Sequence, residues 1–93
     1  MKARVLLDER VKYGEHGFAE LRVLSVPTSV RGSAHLFKYS LSLVLNGVCV
    51  LRFDNESGKG DHYHLGAQQV PYRFKSLPAL LDDFWRLVET CKK

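Results

Sequence analysis

Apolar and polar residues alternate with a period of two along much of the chain. Over Ala3 to Tyr13, Val5, Leu7 and Val11 fall largely on one side, and Arg4, Asp8, Arg10 and Lys12 on the other. That is the pattern of a half-buried strand. Gly14-Glu15-His16-Gly17 makes a turn. A second strand over Phe18 to Val26 sets Phe18, Glu20, Arg22 and Leu24 against Ala19, Leu21, Val23 and Ser25. Pro27-Thr28-Ser29 ends it, and Arg31-Gly32-Ser33 extends the loop. Phe37 to Leu45 and Val48 to Phe53 flank Asn46-Gly47, a dipeptide suited to a type I′ turn because both residues tolerate positive φ. Regular pairing from that turn sets Leu45 against Val48, Leu43 against Val50, Leu41 against Arg52 and Tyr39 against Asp54. Val44, Cys49, Leu51 and Phe53 share the other face, so this reading makes the hairpin largely apolar on both sides.

Asn55 to Gly66 reads as a loop rich in Gly, Asp and His, and Val70 to Phe74 as a short edge strand. Ser76 is a good helix N-cap, and Pro78 fits the first turn, where its missing N–H costs little. Leu77, Leu80, Leu81, Phe84, Leu87, Val88 and Cys91 then follow helical spacing. Trp85 widens the apolar stripe, while Asp82, Asp83, Arg86 and Glu89 face away. The expected fold is α+β: an antiparallel meander of four to five strands with one C-terminal helix, residues 76 to 90, packed on the sheet.

A chain of 93 residues makes one domain, residues 1 to 93, since two would each lack a core. Two cysteines are too few for a disulfide scaffold. No apolar run approaches the ~20 residues that span a bilayer. Asp8, Glu9, Arg10 and Lys12 break the uncharged stretch a signal peptide needs, so a cytoplasmic location is expected. The net charge is +4, and from Ser76 to Lys93 the charges cancel. The excess therefore lies in residues 1 to 75, and an anionic partner would meet that part.

The chemistry concentrates in Arg52-Phe53-Asp54-Asn55-Glu56-Ser57-Gly58-Lys59-Gly60-Asp61-His62-Tyr63-His64. Gly58 and Gly60 permit tight turns and a close backbone approach to an anion, and Lys59 adds charge between them. An extended His62 to His64 puts both imidazoles on one side. Metal-free RNA cleavage needs an acid, a base, a cation at phosphorus and a group that orients an imidazole. His62, His64, Asp61, Lys59 and Arg52 supply these types. A metal site on His62, His64 and a carboxylate is the competing reading. A polar surface loop is the third. No nucleotide-binding fingerprint is present: the P-loop spacer and its following Ser or Thr are missing around Gly58-Lys59-Gly60. His16 and His35 sit in or beside turns and read as surface histidines. Tyr72-Arg73-Phe74-Lys75 interleaves aromatics with charge, as an edge strand or a nucleic-acid surface does.

These residues resemble the TumE-type toxins of bacterial toxin–antitoxin pairs. The resemblance is carried by Arg52-Phe53-Asp54-Asn55, then Gly58-Lys59-Gly60-Asp61-His62 and His64, then Pro71-Tyr72-Arg73-Phe74 and Leu80-Leu81-Asp82-Asp83-Phe84-Trp85. Phe53 and Tyr63 depart from the pattern, where Tyr and a basic residue are common. The resemblance implies the toxin of a type II toxin–antitoxin pair, silenced by a helix-turn-helix antitoxin. The residue types add an expected activity: RNA cleavage, with His62 and His64 as acid and base and Asp61 orienting one imidazole. Lys59, Arg52, Gly58 and Gly60 would bind phosphate. No cofactor is expected, and a divalent metal at the His/Asp loop stays open. The alternative is a non-enzymatic binding protein whose loop contacts a partner or an anionic ligand. A hairpin apolar on both faces, with one helix to cover it, further predicts a homodimer through a sheet face or an edge strand, with the antitoxin over Asn55 to His64.

Overall fold

The computed structural model describes residues 3–56, 58 and 60–91. They form an antiparallel meander of six strands lying side by side in chain order, followed by one helix. The strands are β1 (Arg4–Tyr13), β2 (Gly17–Ser25), β3 (Phe37–Leu45), β4 (Val48–Asp54), β5 (His62–Leu65) and β6 (Gln68–Pro71), and the helix is α1 (Leu77–Thr90). The first four strands and the helix lie where the alternation and the cap put them. Asn46 and Gly47 take φ of 52° and 79°, as a type I′ turn requires.

Two boundaries differ from expectation. His62–Leu65 is a strand, not loop, because it continues the ladder along the free side of β4, and Gly66 (φ 59°) turns the chain back into β6. The last strand covers Gln68–Pro71 rather than Val70 to Phe74. Phe74 instead stacks on the His35 ring, with centroids 3.8 Å apart.

The β3–β4 register also corrects the regular pairing. Leu45 faces Val48 and Val44 faces Cys49, but Leu43 then faces Leu51, so Val50 is an extra residue in a β-bulge. Beyond it Leu41 pairs with Phe53, Ser42 with Arg52 and Ser40 with Asp54. The bulge moves every later β4 residue to the opposite face of the expected one. The hairpin is therefore not apolar on both faces beyond the bulge. Tyr39, Leu41, Leu43, Leu51 and Phe53 are buried together, and Ser40, Ser42, Arg52 and Asp54 share the opposite face.

The helix covers the apolar face. Ser76 caps it by accepting a hydrogen bond from the Ala79 amide at 3.2 Å. Leu80, Phe84 and Val88 are its buried stripe, and the Phe84 ring meets Phe53 edge-on with centroids 5.9 Å apart. Asp83 does not face away: Tyr72 donates to its carboxylate at 2.6 Å and ties the segment after β6 to the helix. Burial and that bond raise the Tyr72 pKa. The helix leaves β1 uncovered, so Val5 and Leu6 are 58% and 46% exposed. No helix among the described residues is long and apolar enough to cross a membrane.

Phe84 is fully buried at the junction of helix and sheet, so Phe84→Ala should cost about 3–5 kcal/mol. Urea denaturation followed by circular dichroism measures it, and a loss under about 1 kcal/mol would contradict this packing.

Candidate functional site

Register assembles the site. On the face away from the helix, His64 pairs with Arg52, Arg52 with Ser42, Ser42 with Glu20 and Glu20 with Arg10. One step along the strands, His62 pairs with Asp54, Asp54 with Ser40, Ser40 with Arg22 and Arg22 with Asp8. Two parallel rows of polar side chains thus cross five strands. They adjoin a hollow of about 360 Å³ whose lining includes Asp8, Arg10, Glu20, Arg22, Ser40, Ser42, Arg52 and Glu56.

Some of the ions along the rows are matched. Arg10 donates to Glu20 at 2.6 Å, and its guanidinium lies 4.2 Å from the Phe18 ring centroid. Asp54 lies 3.4 Å from His62 Nε2 and accepts from the Glu56 amide at 3.3 Å. Arg22 and Arg52 are exposed and form no ion pair among the described residues.

His62 and His64 do lie on one side, with ring centroids 4.9 Å apart and planes at 83°. Their surroundings differ. His62 is buried at 3% exposure, and its Nδ1 donates to the Gly60 carbonyl at 2.9 Å. A carbonyl only accepts, so Nδ1 carries a proton and Nε2 is the nitrogen turned to Asp54. His64 is the half-buried member beside Arg52.

Asp61 points elsewhere. Its carboxylate accepts from Ser33 Oγ at 2.6 Å, from His35 Nε2 at 2.7 Å and from Tyr39 Oη at 2.7 Å. It orients His35 and neither of the paired histidines. His35 is no surface histidine: its side chain is 13% exposed, between Asp61 and Phe74. The His35 Nδ1 accepts from the Phe37 amide at 3.1 Å, which puts the ring proton on Nε2, facing Asp61. Both ring nitrogens are thereby occupied. The residues around His35 in sequence carry no sign of this, because its partner is 26 positions away. His16 is a surface residue as expected, its side chain 76% exposed.

Asn55 completes the support. Fully buried, it donates to Ser33 Oγ at 3.1 Å and to the Phe37 carbonyl at 2.8 Å, and accepts from the Tyr39 amide at 3.0 Å. Gly58 and Gly60 take φ of 77° and 82°. Gly60 is buried against Gly32: a Cβ on Gly32 would fall 2.6 Å from the Gly60 nitrogen. Gly60 thus serves the packing of two loops, while Gly58 stays exposed. Lys59 lies outside the described residues. Among the described residues no group of three or more His, Cys, Asp or Glu is arranged to hold a metal ion.

Burial on its own would raise the Asp61 pKa, but the hydrogen bonds from Ser33, His35 and Tyr39 together hold it below the usual carboxylate value. Burial first, and the Asp61 carboxylate second, push the Tyr39 phenol strongly up, so it stays a donor. A depressed folded pKa makes Asp61 stabilising above its unfolded value of about 3.9. That contribution is lost as pH falls from about 4 through the folded value. We expect Asp61→Asn to cost about 1–3 kcal/mol at neutral pH and to flatten this acid limb. Urea midpoints measured from neutral to acid pH test it; a variant with the parent's acid limb would contradict the assignment.

Comparison with curated proteins and with solved structures gave no match. The family model described as Toxin TumE matches residues 2–91. The match takes in every strand, the helix and both polar rows, and the chain belongs to the TumE toxin family.

Proposed function

We propose that this toxin acts by cleaving RNA on the open sheet face, with His64 and Arg52 at the reacting phosphate. The observation that carries the reading is the register, which sets Arg52 directly across from His64 on a face the helix leaves uncovered. In such a cleavage the 2′-oxygen attacks phosphorus and the 5′-oxygen leaves. The His64 imidazole takes the 2′-hydroxyl proton, the Arg52 guanidinium stabilises the charge that develops on the phosphoryl oxygens, and the departing 5′-oxygen takes its proton from water on the open face. His62 is a positioning residue, because its ring is buried and held between Gly60 and Asp54. Asp61 supports the site indirectly, by fixing the segment from Ser33 to Tyr39 against the glycine loop. Lys59 keeps its assignment as a phosphate contact on sequence grounds.

The family implies an antitoxin partner; its helix-turn-helix class and its seat over residues 55 to 64 are part of this proposal. A homodimer is better served by the unpaired edge of β1, where Val5 and Leu6 are exposed, than by a sheet face that is polar. A monomeric mass by light scattering at tens of micromolar would count against it.

The function is tested by incubating short single-stranded RNA with the chain, with and without a chelator. Cleavage should persist in chelator and fall by about 10²–10⁴ in His64→Ala, with a loss of at least about 10² in Arg52→Ala. His62→Ala should lose activity together with thermal stability, as expected of a buried hydrogen-bonded ring. Cleavage undiminished in His64→Ala would overturn the catalytic assignment. RNA bound but left intact by the parent chain would favour the non-enzymatic reading. Cleavage abolished by the chelator would transfer the chemistry to a metal.

A further inference from the structure

The row assignment leaves one arginine unused. Arg22 lies on β2, two strands from Arg52 and one row along, so the two Cα positions are separated by about 10 Å across the sheet and about 7 Å along it. Both arginines line the hollow of about 360 Å³, with Ser40 and Ser42 on the strand between them. Neither guanidinium is neutralised by an ion pair among the described residues, whereas Arg10 on the same hollow is bound to Glu20 at 2.6 Å. Two guanidinium groups without an ion pair and two serine hydroxyls are the donors this hollow offers to an anion.

We propose that this hollow is a second phosphate subsite, in which Arg22, with Ser40 and Ser42, holds the nucleotide next to the one cleaved between Arg52 and His64. The proposal rests on the RNA reading above for the identity of its ligand. The size fits one nucleotide, being near the lower end of the ~300–1,000 Å³ typical of small-ligand sites. The lining is polar, and Asp8, Glu9 and Glu56 sit in it beside the arginines, together with Glu20, which Arg10 engages. Those carboxylates disfavour a ligand that is anionic throughout. They suit one that places a phosphate between the arginines and turns ribose hydroxyl or base amino groups towards the acids. RNA would then cross β4, β3 and β2 over the two rows, reaching towards β1.

The test separates binding from cleavage. A short 2′-O-methyl RNA lacks the attacking hydroxyl, so the parent chain can bind it and cannot cut it by the proposed route. Fluorescence anisotropy with this RNA, in competition with adenosine monophosphate, is compared for the parent, Arg22→Gln and Ser40→Ala. Arg22→Gln should weaken binding about tenfold or more, and Ser40→Ala by a few-fold. The salt dependence of binding should drop by about 0.7 in log–log slope in Arg22→Gln, the share of one phosphate contact to a single strand. Arg22 is exposed and forms no ion pair among the described residues, so its variant should melt with the parent; should it fail to fold, Ser40→Ala decides. Parent-like binding by both variants would overturn the subsite, as would failure of adenosine monophosphate to compete. Weakened binding in Arg22→Gln, from a parent that leaves natural RNA intact, would uphold the subsite and defeat the cleavage reading alone.

Discussion

One helix can cover only one face of this six-stranded sheet, and that only in part, and strand side chains alternate between faces, so register decides which residues become core and which stay available for chemistry. In β4 that decision turns on Val50. The run Val48-Cys49-Val50-Leu51 is apolar throughout and would pair in more than one register. Placing the extra residue at Val50 sends Leu51 and Phe53 under the helix and turns Arg52 and Asp54 outward. Without the bulge Arg52 would lie across from Leu41, a fully buried residue, and an unpaired guanidinium there would carry a heavy desolvation cost. The core and the polar rows are two consequences of the same shift.

The stretch from Arg52 to His64 divides along the same line. Arg52 and Asp54 look out from the sheet, whereas Phe53 is core and Asn55 is a buried clamp on the backbone from Phe37 to Tyr39. The next part divides as well. Gly60 packs on Gly32, and Asp61 draws Ser33, His35 and Tyr39 together on one side of the chain, while His62 and His64 return to the open face. Asp61 can afford to be ionised at low exposure because three donors converge on it. His35 has no spare ring nitrogen and so no lone pair to lend to a reaction. An Asp–His contact that resembles a catalytic pair is here a structural joint between the long β2–β3 connection and the glycine loop.

How much of this was legible in the sequence follows from the range of each interaction. Strands β1 to β4, the Asn46-Gly47 turn and the capped helix are set by neighbours within a few residues, and alternation, turn chemistry and the Ser76 cap identify them. The same-side placement of His62 and His64 is likewise a local consequence of extended backbone. Strand β5 was hidden because glycines and charges around it mimic a loop, and its pairing energy comes from β4, a segment whose register was itself misplaced by Val50. The role of His35 was out of reach because Asp61, Phe74 and Tyr39 meet it only after the sheet has formed.

The polar rows show why a residue list from one segment falls short of a site. His62, His64, Arg52 and Asp54 come from one stretch of sequence, but Ser40, Ser42, Glu20, Arg22, Asp8 and Arg10 join them only through three further strand pairings. A meander in strict chain order makes that extension regular: each added strand contributes one residue to each row. The rows therefore grow away from the histidines towards β1, and their charges alternate along the way. Where an arginine has a carboxylate in bonding range, as Arg10 has Glu20, the pair is exposed and contributes little stability. Among the described residues Arg22 and Arg52 have none, and both stay exposed beside the hollow. That difference, rather than net charge, is what the proposed phosphate contacts at Arg52 and Arg22 rest on.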